Sequence, residues 1–242
     1  MMEGRLDEAE PELGALLDLG SRSREPNVQN LALGQLIFLR REQGRLSELL
    51  AVLEQQSRRE SLVGTFRCAA ALMHAEAGDI NEGRRCLAGF VEGGAIRVQR
   101  DVTWTTSLCL LAETAVAVED GRAARALLQA LLPYRGQLAV LAKGIAVTGS
   151  FDRYIGALQA LTGEDTAARA SFEAALLLDS SLSAPPLAAR TMAGFGHWLA
   201  TQPGRKDRRR GESLLEDAGE IARTFGMGGL AGTIGGSAAP VR

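Results

Sequence analysis

The chain has 242 residues, 46% hydrophobic and 23% charged, and this much apolar material argues against wholesale disorder. Its 27 basic and 29 acidic residues leave a net charge of −2, so the chain has no global attraction to nucleic acid or anionic membranes. It also lacks an apolar run long enough to span a bilayer and a secretory signal, and we therefore expect a cytoplasmic protein without a membrane span.

Six glycines divide the chain, and each closes one stretch of helical character and opens another. They recur at intervals of 34 to 43 residues and are Gly4, Gly44, Gly78, Gly121, Gly163 and Gly204. Repeats of this length are typical of tetratricopeptide-like and related solenoids. The sequence therefore predicts an all-α fold, a right-handed α-solenoid of stacked antiparallel helix pairs resembling a tetratricopeptide superhelix.

The helices follow in chain order. Residues 3–19 are predicted to form the second helix of a pair. The first helices of the later pairs carry apolar residues at spacings of three and four, in stripes that begin at Val28, Leu62, Trp104, Phe151 and Thr191. The second helices start beyond the glycines, which we expect to adopt positive φ. Acidic neighbours such as Asp79 and Asp120 are expected to cap them.

Other segments lack this pattern. AIRVQR (95–100) and QLAVLA (137–142) are the strand-like stretches, and we assign them to loops or helix starts. The basic run at 205–210 is predicted to be an elongated, solvated turn before the last helix. Residues 1–227 are thus predicted to form a single helical repeat domain, and residues 228–242 a flexible, glycine-rich tail.

With the repeats placed, the chain resembles the C-terminal tetratricopeptide-like region of large bacterial regulators with ATPase or adenylate cyclase domains and LuxR-type DNA-binding segments. The resemblance covers residues 27–227, and its more specific stretches are LLPYRG (131–136) and GSFDRYIGALQALTGE (149–164). It implies a sensor or docking arm in signalling and transcription regulation, and it brings no catalytic residue. The phosphate-loop motif of the family's ATPase is not present in this sequence.

Few residues suggest chemistry. The two histidines, His74 and His197, are far apart in sequence, and no cluster of residues has the spacing of the three or four ligands that a metal site needs. No serine or cysteine has a histidine base and an orienting carboxylate in a recognisable pattern. The basic run at 205–210 has no interleaved aromatic residues to stack on bases. We therefore expect no enzyme activity, no cofactor, no metal site and no direct nucleic-acid binding.

Four residues on first helices are the candidates for contact with a partner or ligand: Trp104, Arg153, Tyr154 and Arg190. Aromatic and arginine side chains are common anchors of binding surfaces, although Trp104 also fits the apolar stripe of its helix. The prediction is a non-catalytic module for protein interaction or sensing, which binds a protein, a peptide or an upstream ATPase or cyclase domain and is able to form homo-oligomers. The alternative is a sensor that holds a small-molecule inducer in the concave groove.

Overall fold

The computed structural model describes residues 2–23, 26–56, 63–141 and 144–236. This part of the chain is mostly helical, consistent with the all-α prediction. Its helices are α1 (Leu6–Ser23), α2 (Pro26–Gln43), α3 (Leu50–Gln56), α4 (Val63–Glu76), α5 (Ile80–Ala88), α6 (Trp104–Ala117), α7 (Gly121–Leu131), α8 (Phe151–Thr162), α9 (Asp165–Ser181), α10 (Pro185–Thr201), α11 (Arg205–Thr224) and α12 (Gly228–Gly236). Short 3₁₀ turns occupy Leu46–Leu49 and Leu132–Tyr134. Each predicted helix stripe falls on one of these helices, except that Leu62 lies outside the described residues.

Two antiparallel hairpins interrupt the helices. Strands β1 (Val91–Glu92) and β2 (Ala95–Ile96) form the first, and β3 (Leu138–Leu141) and β4 (Ala146–Ser150) form the second, with a bulge after Ala139. The assignment of QLAVLA to a loop or helix start was therefore wrong. For AIRVQR it was wrong at Ala95 and Ile96 only, because residues 97–100 belong to no helix or strand. The first hairpin turns at Gly93 and Gly94, which both have positive φ, and adjacent glycines of this kind favour a tight hairpin turn.

The recurring glycine ends a helix through one hydrogen-bonding motif. Gly44, Gly78 and Gly163 adopt positive φ, and the next residue's N–H donates to a carbonyl five residues back, as from Asp79 to His74 at 2.9 Å. This is a Schellman motif, which satisfies the last helical carbonyls and favours glycine because the backbone is left-handed. The expectation of positive φ was correct at these glycines and at Gly4.

It was wrong at the other two glycines. Gly204 has a φ of −73° as the N-cap of α11, and Gly121 is already the first residue of α7. Between α6 and α7 it is Glu119 that takes the left-handed position, with a φ of 54°, and the Asp120 N–H donates to the Ala115 carbonyl at 2.9 Å. The motif is thus retained with a residue poorly suited to it.

Replacing Glu119 with glycine is expected to raise the free energy of unfolding by roughly 0.5–1 kcal/mol, because glycine adopts left-handed backbone without steric cost. Glu119 is exposed, so the substitution removes no packing. Urea denaturation followed by circular dichroism measures the change. The control is Glu119→Ala, which keeps the strained backbone and should give no such gain. Equal stability of the two variants would contradict a left-handed backbone at position 119.

Acidic side chains cap two of the helices that follow the turns, as predicted for Asp79 and Asp120, and a serine that was not predicted to do so caps a third helix. The Asp79 carboxylate accepts from the Glu82 N–H at the start of α5, and the Asp120 carboxylate accepts from the N–H groups of Arg122 and Ala123 in α7. The Ser150 hydroxyl accepts from the Asp152 N–H at the start of α8. Each cap satisfies a backbone donor that has no partner inside its own helix.

The chain divides into two compact units. One comprises Leu49–Leu178, and the other combines Met1–Glu48 with Asp179–Arg242. In the first, α6 packs against α4 of the preceding pair, α8 of the following pair and strand β3. Most of α6 is buried as a result. Within the second, α1 packs on α2, α10 on α11, and α12 contacts both α2 and α11.

The second unit contains two departures from the predicted elements. Helix α11 begins at Arg205, so the basic run forms its first turns and not a separate turn. Arg208 donates back to the carbonyls of Gln202 and Pro203, which holds this start in place. Residues 228–236 form α12 within the segment predicted to be a flexible tail, because packing of Leu230 outweighs the low helix propensity of glycine. Residues 237–242 lie outside the described part.

Candidate functional site

The densest cluster of polar chemistry in the Leu49–Leu178 unit joins α6, α8 and the β3–β4 hairpin. Arg153 and Tyr154 lie in the first turn of α8 and are only 8% and 3% exposed. One terminal nitrogen of Arg153 donates to the Thr148 carbonyl at 2.7 Å and to the Tyr154 hydroxyl at 2.6 Å. The other donates to Glu113 of α6 at 3.2 Å. We call Arg153, Tyr154, Glu113 and Thr148 the hairpin clasp.

The clasp holds a strand by its backbone. The Tyr154 hydroxyl donates to the same Thr148 carbonyl at 3.1 Å, so one carbonyl oxygen accepts from both side chains. The Arg153 guanidinium also lies over the Tyr154 ring, 4.3 Å from its centroid. Because the Arg153 charge is paired with a carboxylate inside the unit, its burial is compensated. The arrangement fixes β4 against α6 and α8.

A second contact fixes the other strand. The Asp152 side chain is almost fully buried, and its carboxylate accepts from the Gly136 N–H at 2.7 Å just before β3. The Arg135 guanidinium lies 3.5 Å from the other carboxylate oxygen. The Phe151 N–H donates to the Gln137 carbonyl at 3.0 Å, which closes the base of the hairpin. The GSFDRY stretch thus specifies how the hairpin is attached to α8.

Buried thiols and the phenol of this unit keep their protons at neutral pH. Burial raises the pKa of Cys68 to about 12, and it also raises the pKa values of Cys109 and Tyr154. Desolvation is the largest cause in each group, because it disfavours the charged form. A cysteine nucleophile requires a lowered pKa, so neither buried thiol has the environment of one.

The other two candidates lie elsewhere. Trp104 is half-buried in the first turn of α6, with the Arg100 guanidinium 4.9 Å from its ring centroid. Arg190 belongs to the other unit, where its Nε donates to the Glu42 carboxylate of α2 at 2.6 Å. The structure therefore brings Arg153 and Tyr154 together and places Trp104 and Arg190 apart from the clasp. Their role in binding stays a prediction.

Sequence reasoning missed Glu113, Thr148 and Asp152. Glu113 had a usable signal, because it is the one charged residue within the apolar stretch of α6, and such a residue calls for a partner of opposite charge. Thr148 contributes a backbone carbonyl, which any residue type could supply at this position, so the sequence gives no signal for it.

A buried carboxylate in the other unit was also missed. Asp179 is fully buried and accepts from the Thr191 hydroxyl at 2.6 Å, which links the end of α9 to α10.

The structure also has a surface depression of about 480 Å³ beside the start of α1, lined by Met2, Glu3, Arg5, Glu8, Ala9 and Glu12. It is open to solvent and lined mainly by charged groups. Arg5 pairs with both Glu3 and Glu8 there, at 2.9 and 2.7 Å. None of the four predicted contact residues lines it.

Two further observations concern the described part of the chain as a whole. No helix in it has the length and apolar character needed to cross a bilayer. No group of three or more histidine, cysteine, aspartate or glutamate side chains within it is placed to hold a metal ion. The chain matches no protein-family model, and comparisons with curated proteins and with solved structures also find no match.

Proposed function

We propose that this protein is a non-catalytic, cytoplasmic helical-repeat module that docks a protein or peptide, with its helix pairs stacked as in a tetratricopeptide-like solenoid. The observation that carries the proposal is the packing of α6 against α4 and α8, its counterparts in the neighbouring pairs. Repeat modules are built from such contacts between successive units, and they use the resulting extended surface for recognition.

The buried polar groups support this proposal because their hydrogen bonds join elements of the protein to one another. Arg153 and Tyr154 bind the Thr148 carbonyl, and Arg190 binds Glu42, so these side chains contribute to the architecture of the protein. Trp104 is half-buried at a helix start, which suits an anchor at a protein interface. By its resemblance to bacterial regulators, we propose that the module is a regulatory arm in signalling or transcription.

The test is quantitative affinity capture with the full chain as bait, in lysate of the native host. We expect a partner that the wild type captures and that Trp104→Ala captures at least ten-fold less, because an aromatic anchor contributes more than about 1.4 kcal/mol. The matched control is Leu177→Ala, which truncates the 76% exposed Leu177 on α9 and should retain the partner. Circular dichroism of both variants verifies folding.

Two results would contradict the proposal. One is a set of captured proteins that is unchanged by Trp104→Ala, and the other is turnover of a substrate by the purified chain. The second candidate function is a sensor that binds a small-molecule inducer. The depression beside α1 has the volume of a ligand site but is open to solvent and lined mainly by charged groups, unlike the enclosed apolar sites that hold small molecules. A thermal-shift screen with sugars, nucleotides and metabolites tests it, and a compound that raises Tm without any captured protein would favour it.

A further inference from the structure

Helix α12 is built from residues that disfavour a helix. Five of its nine residues are glycine, in the sequence GGLAGTIGG. Glycine is the poorest helix former after proline, because its backbone loses the most conformational freedom on folding. The helix therefore depends on its contacts with the rest of its unit and not on its own propensity.

Those contacts are made by one apolar face. Met227 and Leu230 are 0% and 4% exposed and join a cluster with Leu39 of α2 and Ala222 of α11, while Ala231 and Ile234 are half-buried against it. The four positions, 227, 230, 231 and 234, follow the spacing of an amphipathic helix that lies in a groove. We call the apolar surface of α2 and α11 that receives this face the α12 seat.

The glycines of α12 fall into two classes. A Cβ atom on Gly229 would lie 2.1 Å from the Arg41 carbonyl oxygen, and one on Gly228 would lie 2.7 Å from that of Gln43. These two glycines are required by close approach to the end of α2. A Cβ atom on Gly232 or Gly235 would have nothing within 4 Å. Packing does not require glycine at those two positions, and there it only weakens the helix.

The connection to α11 is short and turns at glycine. Gly226 has a φ of 65°, and the Met227 N–H donates to the Ala222 carbonyl at 2.8 Å in the Schellman motif that ends α11. A change of backbone angles at this glycine meets little steric resistance. Helix α12 is thus attached through a point at which it can swing away from the seat while α11 stays intact.

We propose that α12 is an intramolecular latch, and that the α12 seat is a docking site for an amphipathic partner helix with apolar residues at positions i, i+3, i+4 and i+7. The resident helix defines this occupant by its own spacing. A partner helix that keeps glycine where Gly228 and Gly229 approach α2, but has better helix formers at the positions of Gly232 and Gly235, spends less free energy on folding when it binds. This saving offsets the advantage that α12 has from being attached to the chain. This inference rests on the proposed docking function and adds a docking site separate from Trp104, in the unit that combines Met1–Glu48 with Asp179–Arg242.

The first test measures opening of the latch by hydrogen exchange with mass spectrometry on the full chain. Gly232→Ala and Gly235→Ala each strengthen the helix about five-fold in its folding equilibrium, so the double variant should slow exchange of residues 230–236 about 25-fold. The control is Gly219→Ala in α11, where a Cβ would meet only the end of the Arg223 side chain at 3.5 Å. It should leave exchange of α12 unchanged.

The second test measures access to the seat with a fluorescent peptide of residues 226–236 that carries alanine at positions 232 and 235. Bound to full-length chains, it should have a Kd about 25-fold weaker for the Gly232→Ala, Gly235→Ala chain than for the wild type, because the closed latch excludes it. A Leu230→Ser chain, whose own latch is weakened, should bind it more tightly than the wild type. Protection of α10 in each chain verifies that the unit is folded.

Three outcomes would overturn the latch: equal peptide affinity in all three chains, unaltered exchange of residues 230–236 in the double variant, or wild-type α12 exchanging as slowly as α10. A concentration-dependent wild-type dimer that the double variant suppresses would assign the seat to α12 of a second copy and overturn the partner-helix assignment. Neither test needs the cellular partner. Failure of the capture experiment and failure of the latch are therefore distinguishable.

Discussion

Replacing Arg153 with alanine is expected to lower the free energy of unfolding by about 3 kcal/mol. The substitution leaves Glu113 without its cation and removes a donor from the Thr148 carbonyl. Loss of a partner from a buried pair costs more than the pair contributes, because the remaining charge stays desolvated. In a chain of this length we expect Tm to fall by roughly 6–12 °C.

Two milder variants separate charge from geometry. Tyr154→Phe removes only the hydroxyl and should cost about 1 kcal/mol, since Arg153 continues to donate to Thr148. Arg153→Lys keeps the charge but lacks the forked donors, and it should lie between the other two. Urea denaturation of all three variants gives the comparison. An Arg153→Ala chain within 0.5 kcal/mol of the wild type would show that the clasp contributes little to stability.

Gly211→Ala is expected to destabilise the protein by about 2 kcal/mol, although alanine is the better helix former. Helices α10 and α11 approach most closely at Gly196 and Gly211. A Cβ atom on Gly211 would lie 2.7 Å from the Gly196 carbonyl oxygen and 2.9 Å from the Ala200 nitrogen. Both neighbours are backbone atoms of α10, so the clash is relieved only by moving one helix away from the other.

The same helix provides the control. Gly219→Ala introduces the same methyl group eight positions later, where its nearest neighbour is the Arg223 guanidinium at 3.5 Å. This variant should gain up to about 1 kcal/mol from helix propensity. Thermal and urea denaturation measured side by side test the pair. A Gly211→Ala chain as stable as Gly219→Ala would mean that α10 and α11 are farther apart than the structure has them.

The features that sequence reasoning found are those with local causes. A helix end at Gly78 or Gly163 is determined by a few consecutive residues, because the left-handed turn and the cap of the next helix both involve neighbours in the chain. The same locality explains why Gly121 was misread. There the left-handed residue is Glu119, whereas the glycine lies two positions later in α7, so the position of the glycine does not mark the turn.

The features that it missed depend on distant partners. QLAVLA is apolar enough for either a strand or a helix, and its pairing with β4 decides the matter. Residues 228–236 have the composition of a flexible segment, and only the apolar cluster around Leu39 and Ala222 makes them a helix. In the hairpin clasp, Arg153 and Tyr154 were predicted to contact a partner. Their acceptor is the backbone carbonyl of Thr148, and a backbone acceptor cannot be predicted from residue types.

Hydrogen exchange of the full chain, with and without the captured partner, is the measurement that tests docking most directly. We predict slower exchange at the start of α6, where Trp104 contacts the partner. If the partner also supplies a helix to the α12 seat, exchange should slow in α2 and α11 and quicken in residues 230–236 as α12 leaves its seat. A partner that leaves exchange unchanged throughout the described helices would contradict the account of this protein as a docking module.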